Sequence, residues 1–119
     1  MAYDENNVFA KILRGEIPVK KIYEDEYALA FPDINPQAPV HVLVIPKGKY
    51  RNFPEFAENA SSGEIAGLAK AVAKVADILG LKEDGFRILS NIGTNGGQEV
   101  PHLHIHVFAG KKLGPMLCK

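Results

Sequence analysis

Three of the four histidines in this chain fall at every second position in the stretch HLHIHV, residues 102 to 107. On an extended strand successive side chains alternate between faces, so His102, His104 and His106 share one side while Leu103, Ile105 and Val107 take the other. Neighbours on one side are spaced by about 6.6–7 Å, so the rings form a short imidazole row. The remaining histidine, His41, lies in PVHVLVIPK, residues 39 to 47. Three kinds of chemistry compete for such a row. The rings could form the shell of a catalytic zinc ion completed by water. They could act directly, as nucleophile or as acid and base at a phosphorus or acyl centre, since imidazole titrates near neutrality. Or they could decorate an exposed strand, which so dense a cluster argues against. Spacing does not separate the first two. The adjoining stretch NIGTNGGQEV, residues 91 to 100, is rich in glycine, which lets backbone N–H groups approach anionic oxygens closely. That favours phosphate over metal, although a glycine-rich connection is also an ordinary turn.

These residues must be held by something, and the chain is long enough to supply it. Its 119 residues read as one domain with a real core, without repeats or an internal linker. Fourteen basic residues balance fourteen acidic ones and the pI is about 6.9, so no overall field favours nucleic acid or an anionic membrane. No apolar run reaches the roughly 20 residues of a membrane span, and the opening residues carry no secretory pattern. A single cysteine, Cys118, excludes an intrachain disulfide and reads as an inert tail residue in a reducing cytoplasm. Along the chain, VFAKIL (8 to 13) has helical apolar spacing, with Asn6 or Asn7 as cap and Gly15 as stop. KKIYEDEYALAFPDI reads as two short strands turning around residues 24 to 26, and PVHVLVIPK as a third. SSGEIAGLAKAVAKVADILG predicts a long helix capped by Ser61 or Ser62, apolar at 65, 68, 72, 75 and 79, and stopped by Gly80. GFRILSNI and HLHIHVFA complete the set as strands. The expected fold is α+β: one antiparallel sheet of about five strands, with one long and one short helix packed mainly on one face.

The string HLHIHVF, with VFAKILRGEIP, FPDINPQAPVHVLVIPK, NGGQEVPHLHIHV and LGPML in the same order along nearly the whole chain, resembles the histidine triad superfamily of nucleotide hydrolases and transferases. It is most similar to the bacterial members of the purine nucleoside phosphoramidase branch. The resemblance implies that His104 is the nucleophile, forming a nucleotidyl-imidazole intermediate that water then hydrolyses. It implies that His106 contacts the phosphate oxygens, that His102 supports the other rings and that His41 hydrogen-bonds within the group. Asn91 and the Gly97–Gln98 turn fall beside the phosphate, Asp33 and Ile34 at the ribose, and Val8, Phe9, Ile12 and Phe31 along the purine slot. A carboxylate suits a vicinal diol, which offers two O–H donors. Glu99 is the candidate acid for the leaving amine, whereas Pro101 stands where the family commonly has an aromatic residue. The resemblance further implies a homodimer acting on a purine nucleotide, with no metal and no cofactor. A nucleotide-binding regulator with incidental hydrolysis and a dinucleoside polyphosphate hydrolase are the alternatives.

Overall fold

The computed structural model describes residues 2–117, so Cys118 lies outside the described residues. Two helices form where the cap signals stand. Asn7 caps α1 (Val8–Leu13), its side chain accepting from the Ala10 N–H, and the left-handed Gly15 follows the helix. Ser61 caps α3 (Ser62–Leu79) in a reciprocal capping box with Glu64, and Gly80 ends it at φ 67°. The strands are β1 (Tyr23–Glu24), β2 (Ala28–Pro32), β3 (Val40–Pro46), β4 (Arg87–Leu89) and β5 (Ile105–Ala109). They form one antiparallel sheet in the order β1-β2-β3-β5-β4.

Both faces of the sheet are covered, because β2 and β3 are apolar at consecutive positions rather than alternate ones. Ala28, Ala30, Val42, Val44 and Val107 face α3, packing against Leu68, Ala71, Val75 and Ala76. Leu29, Phe31, Leu43 and Ile45 point the other way, onto Phe9 and Ile12 of α1. The long helix thus covers one face as expected, while the short one is seated on the opposite face. That seat forms a roof over the histidine side of the sheet. The buried stripe of α3 also differs from the expected one: Ile65 and Leu79 are exposed, and Gly67, Ala71 and Ala76 are buried in their place. Small residues at these positions let the helix axis approach the sheet, and at Gly67 an added Cβ would lie 2.4 Å from Cδ2 of Tyr27.

Two further helices lie between the expected elements. α2 (Phe53–Asn59) is capped by Asn52, carries a proline in its first turn and inserts Phe56 into the α3 side of the core. α4 (Gly93–Gly96) is a single turn inside the glycine-rich connection. Strand β5 begins at Ile105, so His102 and His104 precede its ladder. The alternation nonetheless runs through them. Leu103 and Val107 reach the α3 core, and His102, His104 and His106 turn to the α1 side.

Candidate active site

The histidine row is enclosed rather than displayed. His102, His104 and His41 are buried, at 0%, 6% and 4% exposure, and His106 is half-buried. Phe9 of α1 stands over the row with its ring centroid 4.9 Å from that of His104. The ring centroids of His104 and His106 are 5.0 Å apart, and those of His106 and His41 are 5.2 Å apart across β3 and β5.

Each ring's proton can be located from what its neighbours can accept or donate, because a carbonyl only accepts and a backbone N–H only donates. His104 Nδ1 lies 2.7 Å from the carbonyl of His102, so Nδ1 carries the proton and Nε2 presents a bare electron pair. His102 Nε2–H donates to the Pro46 carbonyl at 2.9 Å, which leaves its Nδ1 to accept from the Tyr3 hydroxyl. His41 Nδ1 accepts from the Gln37 N–H at 3.1 Å, which puts the proton of His41 on Nε2. That nitrogen donates to His106 Nδ1 at 2.9 Å, with Asp33 Oδ2 3.4 Å away. His106 must then carry its own proton on Nε2. Adjacent rings therefore offer opposite functions: His104 a lone pair, His106 an N–H.

The rings are held neutral. Burial is the largest influence on all four and pushes each below the ordinary histidine value, His102 and His106 to about 4. The charges of Asp33 and Glu99 oppose the fall at His104, which places both carboxylates within electrostatic reach of it. The Ser90 hydroxyl fixes the strand end by donating to the His104 carbonyl at 2.9 Å.

Asp33, His41 and His106 bring three potential metal-ligand atoms within 4.8 Å of one another. The proton positions work against a cation there. The atoms that would ligate, His41 Nε2 and His106 Nδ1, already share a proton, and moving it to His41 Nδ1 would set two N–H groups head to head with Gln37. The three triad rings do not converge on a point either, since His102 spends both nitrogens on Pro46 and Tyr3.

The other sequence-derived residues divide into two groups. Phe9, Ile12 and Phe31 are buried in one apolar cluster under α1, and Asp33 follows β2 beside His41. Val8 is 39% exposed and Ile34 92%, so both side chains face solvent. Asn91 is half-buried behind α4, and Gly97 takes a left-handed φ of 75° that closes the turn. Gln98, expected at the substrate, has both ends of its amide occupied by the protein. Its Oε1 accepts from Gly93 N and its Nε2 donates to the carbonyls of Arg51 and Val100. Its side chain braces the loop instead. Glu99 is exposed, and with Gln98, Pro101, Gly93, Thr94 and Arg51 it lines a pocket of about 220 Å³. A larger groove of about 410 Å³ lies at the α3 side near Tyr23, Tyr27, Lys70 and Lys74 and contains none of the histidines.

Tyr3, Gln37, Ser90 and Arg51 are participants that the sequence reading did not single out. Three of them act through or upon main-chain groups, which no residue pattern records.

A conserved-family model described as the HIT domain matches residues 14–113. The chain belongs to the HIT family. It is 64% identical over 117 residues to a 13.2 kDa HIT-like protein of Azospirillum brasilense, covering 98% of this chain and 96% of that one. It is 40% identical to the purine nucleoside phosphoramidase of Escherichia coli, covering 95% and 94% of the two chains. Among solved structures, a histidine triad protein from Clostridium difficile matches with a TM-score of 0.87 at 40% identity, covering 98% of this chain and all of that one. A HIT family hydrolase from Clostridium thermocellum matches with a TM-score of 0.84 at 42% identity, over 97% and 99% of the chains. The five-stranded antiparallel sheet with its helices is the HIT fold.

Proposed function

We propose that this HIT protein hydrolyses the P–N bond of purine nucleoside 5′-phosphoramidates through a nucleotidyl-His104 intermediate. The observation that carries the reading is the pairing of a bare Nε2 on His104 with an N–H on His106, both on neutral rings. The first is an activated nucleophile, and the second is a donor aimed at a phosphoryl oxygen. In the first half-reaction His104 Nε2 attacks the α-phosphorus. The P–N bond to the amine breaks, its electron pair stays on the leaving nitrogen, and that nitrogen takes a proton, for which Glu99 is the candidate source. In the second, water attacks the same phosphorus and gives up a proton that restores Glu99, the pair of the P–Nε2 bond returns to His104, and the nucleoside 5′-monophosphate departs.

Asp33 supplies acceptors for the ribose hydroxyls. The edge of the Phe9, Ile12 and Phe31 cluster supplies an apolar surface for the base. The phosphoramidase of Escherichia coli, at 40% identity over nearly the full chain, supports this substrate class over other nucleotide chemistry. A regulator that only binds nucleotide has no use for an uncapped Nε2 on a buried ring. Incubating the protein with an adenosine phosphoramidate should give a mass increase of one adenylyl group on His104. His104→Ala should abolish the adduct and lower turnover by on the order of 10³-fold or more. Undiminished cleavage by that variant would remove the proposal.

The proposal includes a homodimer in the cytoplasm. Strand β4 is an edge of the sheet with Ile88 52% exposed, and Arg87 on it donates to the carbonyls of Gly114 and Pro115, tying the tail to that edge. An open strand edge with apolar side chains is suited to pairing with a second copy. None of the described helices is long and apolar enough to cross a membrane. A sedimentation run showing a 13.0 kDa species alone at micromolar concentration would refute the dimer.

A further inference from the structure

The pocket beside Glu99 carries a feature that the reaction above does not use. Arg51 lines it, and its Nε donates to Glu55 Oε2 at 2.7 Å, while the Glu55 side chain also accepts from the Arg51 N–H. This clamp holds the guanidinium in place, and among the described residues neither of its terminal Nη groups has an acceptor. The backbone beneath is held as well, since the Arg51 carbonyl accepts from Gln98 Nε2 at 2.6 Å. A positioned arginine with a free fork of N–H donors fits a planar oxyanion, above all a carboxylate.

The pocket's place in the fold says which part of a substrate would reach it. Strands β2 and β4 lie on opposite sides of the β3–β5 pair. Asp33, which follows β2, and the turn at residues 93–99, which follows β4, therefore approach His104 from opposite directions. With ribose on the Asp33 side, the group leaving phosphorus extends toward Glu99, Thr94 and Arg51. A volume of about 220 Å³ is below the roughly 300–1,000 Å³ of drug-sized ligand sites, so a small leaving group is implied. One carboxylate and one guanidinium in that space complement a molecule with a cationic and an anionic end.

We propose that Arg51 binds the carboxylate of an amino-acid leaving group, so that the preferred substrates are nucleoside phosphoramidates of small α-amino acids. On cleavage the P–N electron pair goes to the amino nitrogen, which takes a proton beside Glu99. That first proton gives the amino-acid anion with a neutral amine, and a second proton, taken from water, gives the zwitterion that the pocket matches. This inference rests on the phosphoramidase reading and narrows it.

The test compares adenosine 5′-phosphoramidates of alanine and of alaninamide, which differ in one charge. Wild type should favour the carboxylate by on the order of 10-fold in kcat/KM, the scale of a hydrogen bond to a charged group. In Arg51→Gln that ratio should fall to about one, and Arg51→Lys, which keeps charge without the fork, should lie between. A general loosening of the loop would lower both substrates together and leave the ratio standing. A ratio equal in wild type and Arg51→Gln overturns the inference while leaving the phosphoramidase reading intact. Failure of wild type to cleave either substrate overturns both.

Discussion

Lowering the pH from 7 to 5 should destabilise this protein before any of its structural carboxylates titrate. His102 is buried without exposure, and burial pushes it down to about 4. In the unfolded chain the same ring titrates near 6.5. The unfolded state therefore binds more protons across this window, and stability rises with pH. The contribution is complete above the unfolded value and is lost as pH falls from about 6.5 toward 4. For one such group the linkage relation gives about 2 kcal/mol between pH 7 and pH 5. His106 is also pushed to about 4 but is half-buried, and its share is smaller, about 1 kcal/mol after allowance for solvent screening. The carboxylates lowered by their partners, among them Glu24, Asp25, Glu55 and Glu64, lose their contributions only below about pH 4.5, outside the window. With a urea slope of about 1–3 kcal/mol per molar, the unfolding midpoint should drop by about 1 M or more. Urea melts followed by circular dichroism at the two pH values measure this directly. In His102→Gln, whatever its absolute stability, the pH-dependent part should shrink by more than half. Midpoints agreeing within about 0.2 M between pH 7 and pH 5 in wild type would show that the rings are not held neutral by burial, and the assignment of their protons would fall with it.

The same depression should appear in kinetics: kcat/KM falls on the acid side with a midpoint below 6.5, because His104 must be unprotonated to attack, and a flat profile from pH 4 to 8 would contradict this. Glu99→Gln should slow turnover of a phosphoramidate with a poor amine leaving group by about 10²-fold or more, and much less with an activated leaving group that needs no proton; equal rates for variant and wild type would end the acid role of Glu99. Gly67→Ala should cost about 1–3 kcal/mol, because the new methyl group meets Cδ2, Cγ and Cβ of Tyr27 at 2.4–2.7 Å, and the last of these cannot swing away. Adding Tyr27→Ala to that variant should recover part of the loss in thermal melts, whereas additive losses would place the strain elsewhere.

Much of this architecture was legible because it depends on side-chain type at short range. The Asn7 and Ser61 caps, the Gly80 stop and the alternation at residues 102–107 are local signals with local causes. Helix α2 had a readable signature as well, Asn52 followed by a proline in the first turn, but at seven residues it has little periodicity to register. The face on which α1 sits could not be read, since β2 and β3 are apolar on both sides and permit either seat. The histidines themselves were legible as a group, while their tautomers were not. Those are set by the carbonyls of Pro46 and His102 and by the N–H of Gln37, groups that every residue possesses and that only tertiary placement distinguishes. Arg51 escaped for a related reason. An isolated arginine in a polar stretch carries no pattern until Glu55 and Gln98 are found beside it.

The hydroxyl of Tyr3 reaches a ring 99 positions further along the chain. Segments held by few contacts detach at a smaller free-energy cost than cores unfold. On warming, this clasp should therefore let go while the sheet is still whole, leaving His102 without its acceptor's partner and the rings above it less firmly aimed. Catalytic output would then fade several degrees before ellipticity does, and the gap between the two curves would report how tightly the amino-terminal segment is fastened.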